Sequence, residues 1–123
     1  MSCVVRILAS QEIKVCQCEE GPISLRTLQA FVGGKIEALA VPKPYWMDEG
    51  DALIMIVNEE GWLEGLPYNG MASMLAEESS QYLVSGDAVL VCGRGENLIG
   101  LTRDCAEKIK RILNTIISGA TEQ

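Results

Sequence analysis

The run Ala52–Val57, Ala-Leu-Ile-Met-Ile-Val, contains no polar residue and no alternation of polar with apolar positions. So short a run, bounded by Asp51 and by Asn58-Glu59-Glu60-Gly61, reads as a strand covered on both faces, and such strands lie inside a sheet. The polar tetrad has the makeup of a hairpin turn. Trp62–Leu66 is then expected to pair back as a short return strand, closed by a Pro67-Tyr68-Asn69 corner.

The remaining elements follow from periodicity and punctuation. Val4–Leu8 and Ile13–Cys18 are β-branched runs separated by Ala9-Ser10-Gln11. A three-residue loop pairs Ile7 with Ile13 and Val5 with Val15, and so puts Cys3, Val5, Ile7, Ile13 and Val15 on one core face. A two-residue loop would mix the faces. Arg6 and Glu12 are then expected on the solvent face. Ser24 is placed to cap a helix over Leu25–Val32, with Ile23 stapled onto Leu28 and Gly33-Gly34 ending it. Lys35–Val41 returns as a strand, and Pro42–Gly50 is a loop carrying Trp46. Asn69 can cap a short helix over Gly70–Glu78 with Met71, Met74 and Leu75 facing inward. Ser79–Gln81 is a link, and Tyr82–Ser85 a short extended piece. Asp87–Cys92 is a further strand, and Gly93–Asn97 turns the chain. Thr102 caps a last helix, Arg103–Ser118, stopped by Gly119. Its residues Cys105, Ile109, Ile112, Leu113, Ile116 and Ile117 fall on one wide apolar face.

These elements predict an α+β fold: a single mixed or mostly antiparallel sheet, with an N-terminal hairpin and about three helices mainly on one face. Residues 1–119 form one domain, and 120–123 a frayed tail. The net charge of −7 disfavours direct nucleic-acid binding, which needs cationic surface. No apolar run reaches membrane-spanning length and Met1–Leu8 lacks a signal-peptide core, so a soluble, cytoplasmic protein of the host cell is expected. Cys3, Cys16, Cys18, Cys92 and Cys105 read as buried or free thiols. Cys16 and Cys18 would share a strand face, but the chain has no His and no second Cys pair of metal-binding spacing. Neither a metal nor another cofactor is expected.

The motifs at Asn58–Gly61 and at Gly65-Leu66-Pro67-Tyr68-Asn69 are similar to those of the family known as domain of unknown function 3846, small proteins of phages, prophages and plasmids. Other shared positions are Leu28, Gln29, Val32, Gly33, Gly34, Ile36 and Glu37, then Val84-Ser85-Gly86 and Asp87–Cys92. The similarity covers roughly residues 1–93. The Trp46 loop and the long last helix depart from the pattern. The resemblance implies a mobile-element origin and no established reaction.

Chemistry narrows the choice of function. Glu59 and Glu60 are adjacent, so in a strand they point to opposite faces and in a turn they splay; they make a poor acid–base pair. Gly93-Arg94-Gly95 lacks the context of a phosphate loop. The chain is therefore not expected to be an enzyme. A binding role is better supported. Asn58, Glu59, Tyr68 and Asn69 fall at the two ends of one expected hairpin return and could share a rim, closed by Trp46 and supplied with a cation by Arg94. Such a set suits a small anionic, nucleotide-like ligand, and a protein that sequesters a defence signal needs no catalysis. For each residue singly the plainer reading is structural, with Asn58 and Asn69 bonding their own backbone as turn and cap residues and Tyr68 packing. The alternative class is an acidic protein–protein inhibitor of a host nuclease or other defence protein, whose binding would weaken with salt. Self-association, as a dimer, is also expected from the Trp46 loop and the last helix, with Ile112, Leu113 and Ile116 buried.

Overall fold

β5 (Ala88–Arg94) is the strand to which both halves of the chain attach. The computed structural model describes residues 1–80 and 83–121. It shows one sheet of order β2-β1-β5-β4-β3, in which β1 is Ser2–Ile7, β2 Ile13–Gln17, β3 Ile36–Val41 and β4 Asp51–Asn58. All the strand pairs are antiparallel. Two short strands complete it: β6 (Asn97–Ile99) turns back on the end of β5, and β7 (Leu101–Thr102) pairs with the start of β1. The helices are α1 (Leu25–Val32), α2 (Gly70–Ser80) and α3 (Arg103–Thr121). This is the α+β architecture expected.

The register of the first hairpin is the one the face argument requires, with Ile7 opposite Ile13 and Val5 opposite Val15. Gln11 takes the left-handed conformation at its tip, φ 74°. β4 lies between β3 and β5, and its residues alternate between two cores. Leu53, Met55 and Val57 join Val5, Ile7, Leu90, Ala106, Ile109 and Leu113 on the face covered by α2 and α3. Ile56 joins Val4, Val89, Val91, Leu28 and Val32 on the face covered by α1. Ser24 caps α1 by accepting from Thr27 N, and Gly33 closes it at φ 80°.

Several expectations are corrected. Trp62–Leu66 is not a strand. Both edges of β4 are already taken by β3 and β5, and residues 59–65 wind instead through successive turns, with Glu64 N bonded to Glu60 O and Leu66 N to Gly61 O. Arg6 is not on a solvent face, because α1 covers that side: its guanidinium lies 5.5 Å from the Phe31 ring centroid and pairs with Asp87. In α2 Met71 is buried and Leu75 packs against the core as expected, joined by buried Ala72, Ser73 and Ala76, while Met74 is exposed. α2 includes Ser79 and Ser80, and Gln81 and Tyr82 lie outside the described residues. Ser85 forms an isolated bridge to Tyr68. β5 extends to Arg94, so the turn before β6 is shorter than expected. α3 runs through Gly119, since a glycine in an exposed helix costs only about 1 kcal/mol. Its core face is narrower than the sequence pattern: Leu113 is buried, but Ile112 and Ile116 are 44% and 38% exposed in the single chain. Residues 122–123 of the expected tail lie outside the described residues.

Candidate functional site

The six residues singled out from the sequence divide between opposite ends of β4. Asp51, at its start, pairs in register with Arg94, and Asn58 is at its other end. β4 spans 8 residues, so its ends are about 23 Å apart at roughly 3.3 Å per residue. Asn58, Glu59, Tyr68 and Asn69 gather at one end; Arg94 and Trp46 meet at the other. The two sets do not form a common rim.

At the first end the two asparagines are buried and have internal partners. Asn58 Nδ2 donates to Val32 O at 3.2 Å and its Oδ1 accepts from Glu60 N at 2.8 Å. Asn69 Nδ2 donates to Ile7 O and Gly86 O, at 2.8 and 3.0 Å, and its Oδ1 caps α2 by accepting from Ala72 N. Gln11 completes the junction: its Nε2 donates to Asn69 Oδ1 and its Oε1 accepts from Met71 N. The Asn58 bond to Glu60 N and the Asn69 cap on α2 are the local roles the plainer reading gave them. That Asn69 and Gln11 also join the first hairpin, α2 and the entry to β5 goes beyond it. Tyr68, which that reading packed, is 60% exposed. Glu59 and Tyr68 are exposed, and Glu60 pairs with Lys35 at 3.7 Å.

The second end is built on charge. Arg94 Nε and Nη2 donate to the two Asp51 carboxylate oxygens, each at 2.8 Å. Register explains the pair: the last residue of β5 faces the first of β4. Lys43 Nζ donates to the carbonyls of Asp48, Glu49 and Asp51 and pins the loop over this corner. Trp46 folds inward against the α3-side core. Its ring lies edge-on to Tyr45, with centroids 5.5 Å apart, and Lys108 Nζ sits 5.7 Å from its centroid. The Trp46 Nε1 is buried without a hydrogen-bond partner among the described residues. Cys105 feels its N–H electrostatically, though no bond of ordinary length and angle forms between them.

Two adjoining hollows open here. One, of about 240 Å³, lies between the Trp46 loop, the end of β5 and α3. The other, of about 470 Å³, lies toward Ser2, Glu20 and Asn97. Arg94, Gly100, Leu101 and Thr102 belong to both walls. Asp51, Cys92, Thr102 and Lys108 were not among the site residues expected from the sequence. The opposite charges of Asp51 and Arg94, at the ends of two apolar strands, were the signal available, and it becomes readable only once β4 is paired with β5.

Electrostatics fixes the protonation states. The Arg94 hydrogen bonds hold the Asp51 carboxyl below its ordinary value, against the opposing effect of burial. Burial, with the Asp51 charge and hydrogen bond, pushes the Cys92 thiol up to about 11. Burial also raises Cys105, more than the Trp46 N–H lowers it. Both thiols are protonated at neutral pH and are weak nucleophiles. Because the folded-state value of Asp51 is depressed, its stabilisation is fully present above the unfolded value of about 3.9 and is lost as pH falls through the lower folded value. Thermal melts of wild type and Asp51→Asn are expected to differ at pH 7 and to converge in acid. Among the described residues no group of three or more His, Cys, Asp and Glu is placed to hold a metal ion, and all five cysteines are free. Among them also, no helix is long and apolar enough to cross a membrane.

A family model described as Domain of unknown function (DUF3846) matches residues 2–114. The match extends past the expected residues 1–93, through the Trp46 loop and well into α3, the two parts expected to depart from the family pattern. No curated protein and no solved structure matches the chain.

Proposed function

We propose that this chain, which belongs to the DUF3846 family, is a non-catalytic protein that sequesters a small nucleotide-type ligand across the two hollows at the Trp46–Arg94 corner. The observation that carries the reading is the shared wall: a guanidinium lines two adjoining hollows, and an indole lines one of them. Asp51 occupies Nε and Nη2 of Arg94 and fixes its plane, which leaves Nη1 for an anionic group. The Trp46 side offers apolar and aromatic wall to a base. The size agrees, since small-molecule clefts run from roughly 300 to 1,000 Å³ and the larger hollow alone holds about 470 Å³.

The wall's charge sets the class of ligand. Asp48, Asp51 and Asp104 outnumber Arg94 and Lys108 around the Trp46 hollow, which favours a ligand with one phosphate over a polyphosphate. The protonated thiols and the exposed, turn-borne Glu59 support a role in binding without turnover. In a mobile element, the origin the family resemblance implies, such a protein would deplete a host defence signal. Calorimetric titration of nucleoside monophosphates and triphosphates is the test. Monophosphates should bind more tightly, and Arg94→Ala should weaken them by roughly tenfold to a hundredfold, the range for losing a charge-assisted contact. Equal binding to wild type and variant would remove Arg94 from the site.

Self-association is part of the same proposal. Ile112 and Ile116, exposed on the flank of α3, are the surface a two-fold pair would bury. Light scattering should give a dimer mass that falls to the monomer in Ile112→Glu.

A further inference from the structure

We propose that Trp62, Leu63, Tyr68 and Leu83 form a docking surface for a protein whose contact face is apolar and ringed by lysine and arginine. This surface lies at the opposite end of β4 from the ligand hollows and stands independently of them. The four side chains are 68%, 63%, 60% and 71% exposed. Single exposed hydrophobics are ordinary, but several large ones in one neighbourhood mark interaction sites.

Their grouping follows from the backbone. Tyr68 bridges Ser85, and Asn69 N bonds to Val84 O, which brings Leu83 alongside residues 68–70. A Cβ on Gly61 would collide with the Ser85 carbonyl oxygen, so the turn bearing Trp62 and Leu63 is pressed against the same residue. Gly86, at φ 94°, lies under Leu66 and holds the base of that turn. The apolar tips are therefore displayed on a backbone fixed by contacts and by the Asn58 and Asn69 bonds. Little ordering is left to oppose binding. Trp and Tyr are also the side chains that most often dominate interface energetics.

Charge selects the occupant. Glu59 and Glu64 are exposed beside these side chains, and Glu60 is there too, with Lys35 as its partner. A second copy docked on this surface would bring glutamates against glutamates. A partner with a cationic rim would instead meet complementary charge, within a chain that is acidic overall.

The test uses two synthetic amphipathic helices as probes, one of leucine and lysine and one of leucine and glutamate. Binding is followed by amide shifts and by Trp62 emission in a Trp46→Phe background. The lysine probe should bind saturably, with shifts confined to residues 59–68 and 83–86. Its affinity should fall at least tenfold in Trp62→Ala/Leu63→Ala, and severalfold in Glu59→Lys/Glu64→Lys or at raised salt. All these side chains are exposed, so melting temperatures should stay unchanged and folding should not confound the result. Absence of saturable binding, equal binding of the two probes, or shifts mapping elsewhere would each overturn the proposal. A dimer that Trp62→Ala/Leu63→Ala dissociates would overturn it in favour of a second copy.

Discussion

Asn69→Ala should lower stability by about 4 kcal/mol. Asn69 is fully buried, and its amide joins three segments distant in sequence. Truncation leaves the carbonyls of Ile7 and Gly86 without their donor and Ala72 N without its cap. Loss of a cap costs about 1 kcal/mol, and a buried polar group left unpaired costs roughly 1–3 kcal/mol. At roughly 4 °C per kcal/mol for a domain of this size, the melting midpoint should fall by about 15 °C. Asn69→Asp separates the contributions. It keeps the cap acceptor but turns a carboxylate toward two carbonyls, so it should be destabilising at pH 7 and partly recover in acid. A midpoint shift under a few degrees for Asn69→Ala would show that the junction does not depend on this amide.

Gly61→Val should cost about 3 kcal/mol or more, through overpacking against backbone that cannot rotate away. The Ser85 carbonyl oxygen stands where a Cβ would collide with it, and the carbonyl carbon is 3.1 Å from that position. The strand entry and the turn would have to separate, and the Trp62–Leu63 tips would move with it. Gly50→Ala is the control: nothing lies within 4 Å of its Cβ position and its φ is not in the left-handed region. Chemical denaturation of both variants measures the difference, and similar midpoints would argue that the turn yields cheaply.

Local chemistry was readable from the sequence wherever one element decides its own outcome. The Ala9-Ser10-Gln11 loop length fixes which faces of β1 and β2 agree, so their register follows. Ser24 and Gly33 bound α1 by capping alone. The burial of β4 on both faces follows from its unbroken apolar run. What the sequence did not disclose depends on which strand takes which edge. Trp62–Leu66 has a composition compatible with a strand, but no edge of β4 remained for it. The Arg94–Asp51 pair depends on the same missing fact, because without the β4–β5 pairing Arg94 reads as a solvated turn residue. The exposed flank at Ile112 and Ile116 was hidden for another reason. Periodicity marks every apolar position on a helix and does not say how wide a face the sheet beneath can cover.

The place of β5 has a consequence for how the chain acquires its structure. The first and second antiparallel pairs, β1–β2 and β3–β4, do not pair with each other; β5 is the strand that joins them, and there Leu90 stands opposite both Val5 and Met55. A chain emerging from the ribosome reaches Ala88 after both pairs are complete. Until then β1 and β4 each present an open edge, the state most exposed to wrong pairing with another strand. Closure waits on contacts between residues far apart in sequence, which sets a slow folding step. Leu90→Ala should therefore slow refolding more than it speeds unfolding, and a chain truncated before Ala88 should be far more aggregation-prone than the full chain.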